Sequence, residues 1–128
     1  MRVDTHKEID ESLSGRVVES AEGFARVVLH THRAMSADGK GLIHGGFIFS
    51  AADYCAMAAV NDPNVVLGAA SVRFIAPVRR GESLTFTARV VEEKGKKRVV
   101  EVEGSREGER VFEGSFDTFV LPTHILER

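Results

Sequence analysis

The sequence predicts an α+β domain in which one long central helix is wrapped by a curved, mostly antiparallel sheet. Three observations carry this. The segment Gly46–Val60 is apolar on every side at helical spacing, the pattern of a buried helix. Other segments are continuously apolar or alternate with a period of two, the pattern of strands. The turns Lys94-Gly95-Lys96 and Glu107-Gly108-Glu109 are short and join antiparallel neighbours.

The elements follow in order. Residues 1–14 are polar and lack a period, which predicts an N-terminal arm with a short helix around Glu8–Leu13. A single domain follows over residues 15–128. Gly15–Ser20 and Phe24–His32 read as strands joined at Ala21-Glu22-Gly23. In the second, Ala25, Val27, Leu29 and Thr31 share one face. Met35–Gly41 holds Ser36, Asp38, Gly39 and Gly41 and reads as a loop. The helix opens after His44-Gly45-Gly46 and stops at Asn61-Asp62-Pro63. Val65–Ala76 is almost continuously apolar, which predicts a strand covered on both faces. Pro77–Gly81 turns the chain into Ser83–Glu93, where Leu84, Phe86, Ala88 and Val90 oppose Thr85, Thr87 and Arg89. Lys97–Arg106 and Arg110–Leu121 complete a meander.

Composition excludes several classes. At 43% hydrophobic and 28% charged residues the chain is not of the disordered type. Seventeen Lys+Arg against nineteen Asp+Glu leave a net charge of −2, too little to gather nucleic acid or acidic lipid, so neither is an expected partner. The one cysteine can form neither an intrachain disulfide nor a thiolate zinc site, and it suits a reducing cytoplasm. Met1–Glu8 has no apolar core of a secretory leader, and no apolar run reaches the roughly 20 residues of a spanning helix.

Two features of the segment around the helix start carry chemistry. Gly45-Gly46 opens a buried helix. Glycines there allow either close approach of a ligand to the free N–H groups of the first turn or an entry turn with positive φ. Asp53 lies mid-helix among Ala51, Ala52, Cys55 and Ala56, and no other charge lies between His44 and Asp62. A carboxylate in such a place is costly unless it is paired or used, so Asp53 is a candidate functional residue. His44 either caps the helix through its side chain or acts as a base, and capping is the expected role. His30 and His32 lack further ligands for a metal site, and Cys55 reads as a small core residue.

His44-Gly45-Gly46 followed by Phe47-Ile48-Phe49-Ser50-Ala51-Ala52-Asp53 resembles the H-G-G-x₆-D signature of hotdog-fold acyl-CoA thioesterases, in the phenylacetate-pathway (PaaI-like) branch. Val72–Glu82, with Pro77 and Gly81-Glu82, is similar to that family's strand-to-turn segment. The resemblance implies a hotdog domain whose protomers join edge to edge into a dimer or tetramer, with the active site at the dimer interface. It implies Asp53 as the catalytic carboxylate, the amide of Gly45 from the partner protomer as oxyanion donor, and His44 beside it. It places Asp38, Gly46, Tyr54, Ser71 and Arg73 in substrate binding. The substrate would be an acyl-CoA, with coenzyme A part of the substrate and no metal or redox cofactor required. Phe47, Phe49, Tyr54, Met57 and Phe74 are candidates for lining the acyl site.

Two positions depart from the family pattern. Asp38 stands where relatives often carry Asn or Gln, and an ionised Asp cannot donate a hydrogen bond. A proton shared between Asp38 and Asp53 would restore that donor. Met57 stands where some relatives carry a hydroxyl that supports the carboxylate. Both departures favour an alternative, a non-catalytic acyl-CoA sensor or carrier of the same fold. A hotdog dehydratase, pairing a helix acid with a histidine such as His44, is a further alternative.

Overall fold

A computed structural model describes residues 1–127. A short helix α1 (Glu11–Ser14) leads into strands β1 (Arg16–Ala21) and β2 (Phe24–His30). A 3₁₀ turn at Arg33–Met35 precedes the long helix α2 (Gly45–Val60). Strands β3 (Val65–Phe74), β4 (Ser83–Lys94), β5 (Lys97–Arg106) and β6 (Glu109–Val120) follow, with a last 3₁₀ turn at Ile125–Glu127. The strands form one sheet in the order β1-β2-β4-β5-β6-β3, with every neighbouring pair antiparallel. With α2 wrapped in this sheet, the domain has the hotdog fold expected.

The core lies between α2 and one face of the sheet. Ala25, Val27 and Leu29 of β2, Leu84, Phe86 and Ala88 of β4, and Val100 and Val102 of β5 are buried against it. These sets follow the period of two seen in the sequence. On the helix Ala51, Ala52, Cys55, Ala56, Ala58 and Ala59 are buried, small enough for the sheet to come close. The Cys55 thiol faces the carbonyls of Ala25 and Phe86 at 3.4 and 3.5 Å. Burial pushes its pKa up to about 12, so it is an inert core residue, as expected. Gly104 of β5 is needed for packing, because a Cβ there would lie 2.7 Å from the Phe86 ring.

Two expectations are corrected. Val65–Ala76 was expected to be covered on both faces, yet β3 is an edge strand, with Gly68–Ser71, Arg73 and Phe74 exposed. Its apolar run leaves an unpaired backbone edge on the outside. Secondly, the short N-terminal helix forms at Glu11–Ser14 rather than around Glu8–Leu13, because Asp10 caps it by accepting from Ser12 N–H at 2.9 Å.

The N-terminal residues lie along α2. The helix ends at Asn61, a left-handed residue (φ 55°) whose N–H donates to Met57 O at 2.8 Å. The Asn61 amide clasps the arm, accepting from Asp4 N–H at 2.6 Å and donating to Arg2 O at 2.8 Å. Thr5 and Ser14 are buried, and the Ser14 hydroxyl bonds that of Ser50 on α2 at 2.7 Å. No helix among the described residues is long and apolar enough to cross a membrane.

Candidate active site

Asp53 sits in a cleft of about 400 Å³ lined by Thr5, His6, Met57, Pro63, Val65–Leu67 and His124. The helix presents it from one turn before Met57, and the start of β3 forms the opposite wall. Its Oδ1 is buried and has no hydrogen-bond partner. Burial raises its pKa from 3.8 to about 6, because the carboxylate loses water that would favour its ionised form. Met57, 1% exposed, supplies no hydrogen bond to the carboxylate.

The helix start is built differently from what was expected. His44 occupies the cap position but makes no side-chain capping bond. Its ring lies edge-on to Phe47, with centroids 6.0 Å apart. Instead, His44 N–H donates to Met35 O at 2.9 Å, and its carbonyl accepts from Phe47 N–H at 3.1 Å. Neither Gly45 nor Gly46 has positive φ, so the entry-turn reading falls. Both have side chains close to the space a Cβ would take, though each neighbour is exposed and can move aside. A Cβ on Gly46 would lie 2.8 Å from His44 Nε2, and one on Gly45 would lie 3.3 Å from the Phe74 ring. The first helical N–H groups lie beyond the reach of intrahelical acceptors.

The remaining candidates are dispersed. The exposed Asp38 shapes its loop, its carboxylate accepting from Lys40 N–H at 2.9 Å and from Leu42 N–H at 3.3 Å. It does not line the Asp53 cleft, so the shared proton has no basis within one protomer. Ser71 and Arg73 lie across from Ser115 and Glu113, in a second cleft of about 460 Å³ on the outer face of the sheet. Tyr54 is buried, and burial raises its pKa; its ring lies 6.2 Å from that of His6. Glu82, from the second matched segment, accepts from Arg79 N–H at 2.7 Å and pairs with Arg106 at 3.0 Å, so it secures a turn. His32 likewise holds the chain together, bonding Ser12 O at 2.7 Å, and His30 bonds Ser83 at 2.7 Å. No three potential metal donors converge among the described residues.

Sequence reasoning missed His6, Thr5 and His124. They come from the chain ends, where no periodicity or motif points to a site, and only the fold brings them to the cleft that Asp53 lines.

A helix wrapped by an antiparallel sheet, with an isolated carboxylate on the helix, defines a hotdog protein of the thioesterase type. The chain belongs to the thioesterase superfamily, which matches residues 40–113. It is similar to an uncharacterized protein from Pyrococcus horikoshii, with 48% identity, TM-score 0.97, and 98% and 97% of the two chains covered. A sigma28-regulated virulence protein of Campylobacter jejuni is 34% identical with TM-score 0.94, over 97% of this chain and 88% of the other. The PaaI protein of the E. coli phenylacetic acid degradation operon is 25% identical with TM-score 0.79, over 89% and 84%. Among curated relatives, methylthioribose-1-phosphate isomerase of Aquifex aeolicus is 54% identical over 94% of this chain. The transcription factor FapR of Bacillus velezensis is 29% identical over 87% of it. The chain spans only 26% of the isomerase and 60% of that FapR protein.

Proposed function

We propose that the chain hydrolyses acyl-CoA thioesters, with Asp53 as general base at a site shared between two copies. The observation that carries this is the buried, unpartnered Oδ1 of Asp53 on a residue that lines a cleft. A carboxylate with a pKa of about 6 is ionised at neutral pH yet basic enough to take a proton from water. The water oxygen attacks the thioester carbonyl, Asp53 accepts the proton, the C–S bond breaks and the thiol departs with a proton from solvent. The products are a carboxylic acid and coenzyme A. The reaction needs no metal or redox cofactor.

The developing oxyanion needs a donor, and the first-turn amide of Gly45 is the group proposed. Gly45 and Asp53 lie about 12 Å apart along the helix axis, too far to act on one carbonyl within a protomer. A second copy docked edge to edge through β3 would bring its Gly45 to this Asp53. In that arrangement Gly46 and His44 flank the oxyanion donor, while Asp38, Tyr54, Ser71 and Arg73 are the groups proposed to meet the rest of the substrate. A reducing cytoplasm is the proposed setting.

The test is a panel of aryl-, short- and long-chain acyl-CoAs, with free coenzyme A measured. Asp53→Ala should keep the fold and lose turnover by about 10²–10⁴-fold. Unchanged turnover would remove Asp53 from the reaction.

The similarity to FapR transcription factors favours a second reading, an acyl-CoA-binding sensor or carrier. Binding of acyl-CoA without release of coenzyme A would select it.

A further inference from the structure

We infer that the short ribbon beside the start of α2 is a coenzyme A track: Leu42, Phe74 and Ile75 bed the uncharged arm, and Lys40, Arg79 and Arg80 hold the phosphates; this rests on the acyl-CoA reading and deepens it. Backbone bonds build the ribbon. Ile43 N–H donates to Val78 O at 2.9 Å and Arg80 N–H to Gly41 O at 2.8 Å, which pairs Leu42 with Arg79 antiparallel. This is the closer of the two kinds of antiparallel pair, and its side chains project on one side. Leu42, His44 and Arg79 are exposed, while Ile43 and Val78 are buried. Lys40 and Arg80 are exposed at the ribbon's far end, on either side of the Arg80–Gly41 bond.

The near end lies at the helix start. The Phe74 ring is 3.3 Å from the place of a Gly45 Cβ, and it rests edge-on against fully buried Phe112 with centroids 5.3 Å apart. Phe74, Ile75 and Leu42 are 51%, 42% and 43% exposed, so each leaves apolar surface in water for a ligand to cover. From Gly45 to Gly41 the chain spans no more than about 14 Å, a gap that the uncharged arm of coenzyme A can bridge. The order of chemistry along the ribbon is the order within the ligand: the Gly45 amide for the thioester, apolar side chains for the arm, cations for the phosphates.

The cations are free to bind. Among the described residues, Lys40, Arg79 and Arg80 make no ion pair. The acids on the same segments are engaged elsewhere. Asp38 accepts from the backbone N–H groups of Lys40 and Leu42, and Glu82 accepts from Arg79 N–H and pairs with Arg106. The turn that presents the arginines is fixed as well. The Arg79 carbonyl accepts from Glu82 N–H at 3.1 Å and from the hydroxyl of buried Thr31 at 3.2 Å. Unpaired guanidinium groups on a fixed turn match phosphate oxygens, which they bind in bidentate fashion.

The test measures binding by calorimetry, which needs no turnover. Wild type should bind coenzyme A about a hundredfold more tightly than pantetheine, which lacks the phosphates. Lys40→Gln, Arg79→Gln and Arg80→Gln should each lower that preference about fivefold or more. High salt should shrink it further, because the contacts are exposed. Phe74→Ala should weaken both ligands alike, and Lys96→Gln, at the turn between β4 and β5, should match wild type. Equal wild-type affinity for the two ligands, or cation variants that bind coenzyme A as wild type does, would overturn the track; Asp53-dependent release of coenzyme A from the panel would then still uphold the hydrolase reading. The expected pattern of binding without turnover would uphold the track and select the sensor. Neither binding nor turnover would overturn the track and the acyl-CoA reading together.

Discussion

At the scale of single residues, the carboxylate of Asp53 is held at a cost to the fold. In the unfolded chain it titrates near 3.8, in the folded chain at about 6. The folded state therefore binds this proton more tightly. The stabilisation from protonated Asp53 is complete below about pH 4 and is lost as pH rises through about 6. Asp53→Asn, which keeps the shape without the charge, should be more stable than wild type at pH 7 by about 2–3 kcal/mol. The difference should vanish by about pH 4 in urea titrations. Turnover should follow the opposite sense, rising with pH through about 6 as the base ionises, and a pH–rate profile without that acidic limb would exclude Asp53 as base. Asp38 behaves differently. Its carboxylate is bound to the backbone of its own loop, so Asp38→Asn should leave the alkaline limb of the profile superimposable on wild type.

At the scale of elements, α2 was legible because apolar residues lie on every side of Gly46–Val60 and a strong stop follows at Asn61-Asp62-Pro63. The meander β4–β6 was legible through alternation and its two short turns. β3 was legible as a strand but not as an edge, because a continuous apolar run is the same whether sheet or partner covers it. Its exposed backbone and small residues Ala69 and Ala70 predict self-pairing. Ala70→Lys should shift the protein to monomer in light scattering and abolish turnover while leaving the circular dichroism spectrum native. Inside the sheet, Gly104→Ala forces a methyl against Phe86 and should destabilise by about 1–3 kcal/mol in thermal unfolding.

At the scale of the whole molecule, the Asp53 cleft combines α2, the start of β3 and both chain ends. The Asn61 clasp and the Ser14–Ser50 bond hold the arm against the helix, so the arm forms a wall of the cleft. Asn61→Ala removes both bonds to the arm and should loosen it. The expected result is faster hydrogen exchange over residues 2–9 and a raised KM, with the sheet unaffected. On the shared-site reading, turnover should also fall with dilution at the concentration where light scattering records dissociation. A fully active monomer would exclude a shared site.

The fold class, the long helix, the strand run and Asp53 as the residue out of place can all be read from the chain. These follow from local period, turn chemistry and the cost of a lone charge among alanines, all carried by near neighbours in the chain. The glycines were legible as special, but the absence of positive φ at Gly45 and Gly46 was not, because the backbone path into the helix is set by the loop and strands that precede and flank it. Only the packed fold shows that β3 is an edge, that Asp38 bonds the backbone of its own loop, and that His6 and His124 line the cleft of Asp53. Each depends on residues far apart in sequence. Contacts of that kind are set by how whole elements pack, and no local pattern encodes them.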